Sequence, residues 1–163
     1  MDVDRSAVSA AELAAFDGTD LEEVVDFTGL VDRMRSVTAG QWWPGPPVEV
    51  MAARADASSS SARCATSAVD GRVTIRIAGP QTTVATAAHE LAHALAGVGA
   101  GHGPLFRAAY LDVIAVITNA DSTDRRLDLH LDQLATAFAD AGLPVADRRW
   151  PGPPRSTTTA IAL

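Results

Sequence analysis

The sequence predicts an α+β fold: an N-terminal helix, about three strands in an antiparallel sheet, a motif-bearing helix, a second ligand-bearing helix and a C-terminal helix. Three observations predict it. Residues 72–78 alternate, with Val73, Ile75 and Ile77 facing one way and Thr74 and Arg76 the other, the period-two pattern of a half-buried strand. Asp70-Gly71 stands just before them and marks a hairpin turn from a preceding strand. From residue 82 onward the apolar residues recur three and four apart, so the helices there are segregated from the strands.

Taken in order, residues 1–19 are rich in Ala and Asp and close on Asp17-Gly18-Thr19. They read as either a short helix or a flexible arm. A helix is expected over 20–38, capped by Asp20, with Glu22 and Glu23 near its positive end and Arg33 and Arg35 near its negative end. Leu21, Val24, Val25, Leu30, Val31 and Met34 supply its apolar face, and Gly40 stops it. Trp42-Trp43-Pro44-Gly45-Pro46-Pro47 is a rigid connector in which one tryptophan is expected to plug the core. Strands are expected at 48–55, at 62–69 and at 72–78, with Gly79-Pro80 ending the last. A helix over 82–96, capped by Thr82 or Thr83, closes at Gly97. The next begins at Pro104 and runs to about 118, on a stripe of Phe106, Ala109, Tyr110, Val113, Ile114 and Ile117. The last covers about 128–141, with Leu127, Leu131, Leu134, Ala135 and Phe138 as its apolar face, and Gly142 and Pro144 end it. Residues 20–146 are thus one domain, and the Pro-, Arg- and Thr-rich segment 147–163 is expected to be a mobile tail, apart from Trp150.

Bulk composition excludes several functions. With 163 residues, 47% of them hydrophobic, the chain can bury one core. A net charge of −7 argues against a general nucleic-acid surface, which must neutralise phosphates. No apolar run approaches the roughly 20 residues that span a bilayer. The opening Met1-Asp2-Val3-Asp4 lacks the apolar segment of a signal peptide, so a cytoplasmic location is expected. Cys64 is the single cysteine. It permits no internal disulfide and no cysteine-based zinc cluster, and reads as a half-buried strand residue.

The chemistry lies in the helix over 82–96. Val84, Ala87, Ala88, Leu91 and Leu95 cluster on one side of it at 100° per residue. His89 and His93 are four apart, one turn above each other, on the side opposite that stripe, with Glu90 on their flank. Two imidazoles stacked on one face can share a metal ion, and Glu90 is then within reach of the water the metal activates. This is the His-Glu-x-x-His pattern. A catalytic zinc site needs a third protein ligand and one open position. Three of the four histidines fall between residues 89 and 102, and the glycine-rich loop 97–103 lets the chain turn back to offer His102. Asp112 on the following helix is the alternative, as a ligand or as a group orienting a histidine. His130 reads as an exposed helix residue.

The segments His89-Glu90-Leu91-Ala92-His93-Ala94-Leu95, Gly101-His102-Gly103-Pro104-Leu105-Phe106 and Tyr110-Leu111 resemble the small gluzincin-like metallopeptidases. They are similar to SprT-like and WLM-type proteases, in which a Gly-His-Gly-x-x-Phe segment supplies the third histidine. The pattern looks closest to small metallohydrolases of actinobacteria and their phages, and it covers about residues 72–118. The resemblance implies a zinc ion (Zn2+) held by His89, His93 and His102, Glu90 as general base, and a peptide or protein substrate lying along strand 72–78 as an edge strand. The chain has no cysteine-rich zinc ribbon and no basic appendage of the kind that sends some relatives to DNA. Three functions remain open from sequence: a zinc metallopeptidase, a metallohydrolase of non-peptide amides or esters, and a non-catalytic metal-binding domain that Asp112 would close with a fourth ligand.

Overall fold

The computed structural model describes residues 2–65, 69–119 and 127–154, with the backbone alone for residues 127 and 128. The described residues form five α-helices and one three-stranded sheet, the α+β class that the sequence predicts.

Where the sequence left a choice between helix and arm, the chain forms α1 (Arg5–Phe16). Val8, Ala11, Ala15 and Phe16 recur on one face and are buried, mainly against the last helix. Burial of that face holds the helix, which carries no side-chain N-cap.

The helix expected over 20–38 is two elements. A single 3-10 turn covers Asp20–Glu22, and α2 covers Phe27–Thr38. Asp26, not Asp20, is the cap: its Oδ2 accepts from the Gly29 N–H at 3.0 Å. Between the two, the Val25 N–H donates to the Thr82 carbonyl at 2.8 Å. That long-range bond holds the linker extended and leaves Val24 67% exposed, so Val24 and Val25 are not core residues. Leu30, Val31, Met34 and Val37 bury the helix. Trp42 and Trp43 are each half-buried at the core edge, and neither plugs it.

Strands β1 (Val48–Ala52), β2 (Ser61–Cys64) and β3 (Val73–Ile77) pair in the order β1-β3-β2. The sheet is mixed, not antiparallel. The β2–β3 pair is the antiparallel hairpin that Asp70-Gly71 signals, with Gly71 at φ +72°. The β1–β3 pair is parallel, in register from Val48 opposite Val73 to Ala52 opposite Ile77. The reason is burial. Val73, Ile75 and Ile77 are all buried, whereas β1 and β2 are buried only in part, so β3 takes the centre, where both edges are paired. β3 is therefore not an edge strand, and β2 is one. Part of the strand expected over 62–69 lies outside the described residues. Cys64 ends β2 and is exposed.

Helix α3 (Val84–Ala96) lies between the sheet and α4 (Pro104–Ile117). All six residues of the expected α4 stripe are buried. In α5 (Leu127–Asp140), Leu134 and Phe138 are buried and Leu131 packs against the core, but Ala135 is exposed. Leu127 is placed by its backbone only. Gly142, at φ +66°, turns the chain back over the fold.

The first part of the expected mobile tail is docked. Arg148 reaches Asp112 with two hydrogen bonds of 2.8 Å each, Trp150 Nε1 donates to the same carboxylate at 2.8 Å, and Trp42 Nε1 donates to the Pro151 carbonyl at 2.9 Å. Residues 155–163 lie outside the described residues. No helix among the described residues is long and apolar enough to cross a membrane.

Candidate metal centre

Thr83 sets the phase of α3. Its Oγ1 accepts from the Thr86 N–H at 3.1 Å, the N-cap contact. The helix is buried around most of its circumference, by Val84, Ala85, Ala87, Ala88, Leu91, Ala92 and Ala94. The two-sided helix expected from sequence is thus too simple. His89 and His93 lie in a narrow, partly open window that also contains Thr86, while Glu90 beside them is buried, at 6% exposed.

Two glycines return the chain to that window. Gly97 (φ +96°) ends α3, a 3-10 turn covers Val98–Ala100, and Gly101 (φ +57°) delivers His102. Both backbone conformations are ones L side chains rarely adopt. Gly103 and Pro104 then start α4 immediately behind the histidine.

The three rings meet through one nitrogen each. His89 Nε2 lies 3.2 Å from His93 Nε2 and 3.1 Å from His102 Nε2. Their ligand atoms all fall within 4.8 Å of one another. The Phe106 ring packs on all three, with centroids 5.0, 4.4 and 4.9 Å from His89, His93 and His102.

Sequence reading missed the residues behind the histidines. Glu12 Oε1 is 2.5 Å from His89 Nδ1, and Asp2 Oδ2 is 2.5 Å from His102 Nδ1. Asp2 Oδ1 also accepts from the His102 backbone N–H at 3.3 Å. Arg107, only 1% exposed, donates from Nη1 to the His102 carbonyl at 2.8 Å and to Asp4 Oδ2 at 2.9 Å, and from Nε to the Pro144 carbonyl at 2.7 Å. No local signal could have found these pairs, because Glu12 and Asp2 are 77 and 100 residues from the rings they touch.

Burial and the facing charges shift the protonation equilibria of the cluster in opposite senses at different groups. Burial raises the Glu90 carboxyl to about 7; positive His89 pulls against this and negative Glu12 adds to it. Its Oε2 has no hydrogen-bond partner. His93 is lowered to about 3, by burial first and then by the like charges of His89 and His102. Burial also works to lower His89, but the hydrogen bond and charge of Glu12, with the charge of Glu90, outweigh it and raise the ring. For Asp2, burial works upward, yet the bonds to His102 leave its carboxyl below the usual value.

An open cleft of about 620 Å³ borders the cluster. His89, Glu90, His93 and His102 line it, with Arg5 and Glu12 of α1 on one wall and residues 59–63, including part of β2, on the other.

Two other sequence candidates lie elsewhere. Asp112 is neither a metal-ligand candidate nor an exposed carboxylate: it is 4% exposed and bound to Arg148 and Trp150. Among the described residues it joins no converging ligand group and bonds to no histidine. His130 is half-buried rather than exposed, with Nε2 3.1 Å from Asp20 Oδ1.

Comparison with protein-family models, curated proteins and solved structures found no significant match to the chain.

Proposed function

We propose that the chain is a zinc-dependent hydrolase acting on peptide bonds, with His89, His93 and His102 as metal ligands and Glu90 as general base. The observation that carries this reading is the convergence of three Nε2 atoms beside a buried carboxyl that has an unpartnered oxygen.

The residues fit the ion. Zn–N bonds of 2.0–2.1 Å at tetrahedral angles put ligand nitrogens about 3.3 Å apart; the two spacings here are 3.1 and 3.2 Å. With a carboxylate at Nδ1, the rings of His89 and His102 in their neutral, metal-ligating form would each carry the proton there and turn the Nε2 lone pair toward the other rings. A shared cation relieves that repulsion. Three imidazoles at the edge of an open cleft, with no fourth ligand group converging on them among the described residues, also match the catalytic type of site. Bound zinc supplies the Lewis-acid charge that makes water a nucleophile near neutral pH.

The chain's own residues do the rest. Glu90, which lines the cleft, accepts the proton of a water there and passes it to the leaving amine. Ser61, Ala62 and Arg63 of β2 line the same cleft, and among the described residues β2 pairs only with β3, so an extended peptide could pair with its other edge there. β2 takes the role that the family resemblance gave to strand 72–78. The net charge of −7 is consistent with a peptide or protein substrate rather than nucleic acid. The single cysteine is consistent with a cytoplasmic setting. The non-catalytic reading needed Asp112 as a fourth ligand, and that carboxylate is committed to Arg148 and Trp150.

Zinc content by elemental analysis and turnover on a peptide library test the proposal together. Wild type is expected to hold about one zinc ion and cleave peptides. Glu90→Gln is expected to keep the zinc and lose cleavage, and His102→Ala to lose the zinc. Full peptide cleavage by Glu90→Gln, or undiminished zinc in His102→Ala, refutes it.

A further inference from the structure

The Nδ1 nitrogens that face away from the cluster are held by the N-terminal segment, a part of the chain that the His-Glu-x-x-His pattern does not include. Glu12, in the third turn of α1, takes His89, and Asp2, just before α1, takes His102. We propose that α1 and the residues leading into it are a built part of the metal centre, with Glu12 and Asp2 as positioning residues that aim His89 and His102 at the ion. This rests on the reading that the three histidines bind a metal.

The argument has three parts. The first is tautomeric. A neutral imidazole can ligate through Nε2 only when its proton sits on Nδ1, and a carboxylate at Nδ1 selects that form and fixes the plane of the ring. The second is charge. Three neutral imidazoles offset none of a divalent cation's charge, whereas two carboxylates one ring away do so while leaving its ligand positions free. The third is anchorage. Val8 and Phe16 are fully buried and fix α1 on the fold. Asp4 meets Arg107, which in turn grips the His102 carbonyl. His102 is thus held at its ring and backbone N–H by Asp2, and at its carbonyl by Arg107. Gly101 leaves space for this grip: a Cβ there would stand 3.2–3.4 Å from the Asp2 carboxylate atoms.

A consequence follows by linkage. If docking of the N-terminal segment raises metal affinity, metal binding must tighten docking of that segment by the same factor.

The test measures zinc affinity by chelator competition in the full chain, for wild type, Glu12→Gln and Asp2→Asn, with Glu23→Gln as a charge control on an exposed carboxylate. Both positioning variants are near-isosteric and neither residue belongs to the hydrophobic core, so both are expected to fold, which Tm checks. Each is expected to bind zinc about 10–100-fold more weakly, with Glu23→Gln like wild type. The visible bands of the cobalt-substituted protein are expected to shift in Glu12→Gln and Asp2→Asn, a change that loss of packing alone does not produce. Zinc affinity within twofold of wild type in both variants, or a lower Tm with affinity and cobalt bands unchanged, overturns the proposal and leaves the hydrolase reading intact. A wild-type chain that binds no metal overturns both.

Discussion

Glu90→Gln separates the chemistry of the site from its cost to the fold. In the metal-free protein, burial raises Glu90 from 4.5 to about 7. At 1.36 kcal/mol per unit, that is about 3 kcal/mol of differential stability. The sign follows from the raised value. Below pH 4.5 the carboxyl is protonated in both folded and unfolded chains and costs nothing. As pH rises toward 7 the unfolded chain releases the proton and the folded one keeps it, so wild-type stability falls. Gln carries no such proton. The chelator-treated variant should therefore match wild type near pH 4.5 and exceed it by about 3 kcal/mol at pH 8, or about 6–12 °C in Tm for a chain of this size. His89 and His93 titrate in both proteins, and only the part of the His89 titration that depends on the Glu90 charge differs between them. Thermal unfolding followed by circular dichroism, in excess chelator at pH 4.5, 6 and 8, is the assay. A difference that is the same at all three values, or a variant less stable at pH 8, would show that Glu90 is not held against its charged form.

Two more perturbations test what surrounds the site. Phe106 is fully buried against all three imidazoles, so Phe106→Ala should cost about 3–5 kcal/mol by chemical denaturation and weaken zinc binding; a loss below about 1 kcal/mol would mean the rings do not depend on it. Asp112→Ala removes the acceptor of three hydrogen bonds, but Arg148 is 45% exposed and regains water, so the expected loss is about 1–3 kcal/mol rather than that of a fully buried pair. A double-mutant cycle with Arg148→Ala should show coupling above about 0.5 kcal/mol, and simple additivity would mean the Arg148–Asp112 pair does not hold the C-terminal segment.

Much of the fold was legible because its signals are local. The α4 stripe from Phe106 to Ile117, the Asp70-Gly71 hairpin, the Thr83 cap and the Gly97 stop each depend on residues a few positions apart. The proposed ligand trio was legible for the same reason: His89, His93 and His102 span fourteen positions, and the structure brings all three together. The errors arose where distant partners compete. The Val25–Thr82 bond splits a helix that Leu21, Val24 and Val25 appeared to continue. Asp112, read as a possible ligand, is claimed by Arg148 and Trp150.

By itself, then, the sequence determined the period of each main element and which side chains could converge from one helix and one glycine-bounded loop. The tertiary structure decided which strand is central, and so that β2 is an edge strand among the described residues, with Ser61, Ala62 and Arg63 lining the cleft. It also decided that Glu12 and Asp2 stand behind the histidines. Caps, turns and periodicity act within a turn or two of chain. Strand order and contacts across 77 or 100 residues are selected only when all the apolar faces are buried at once.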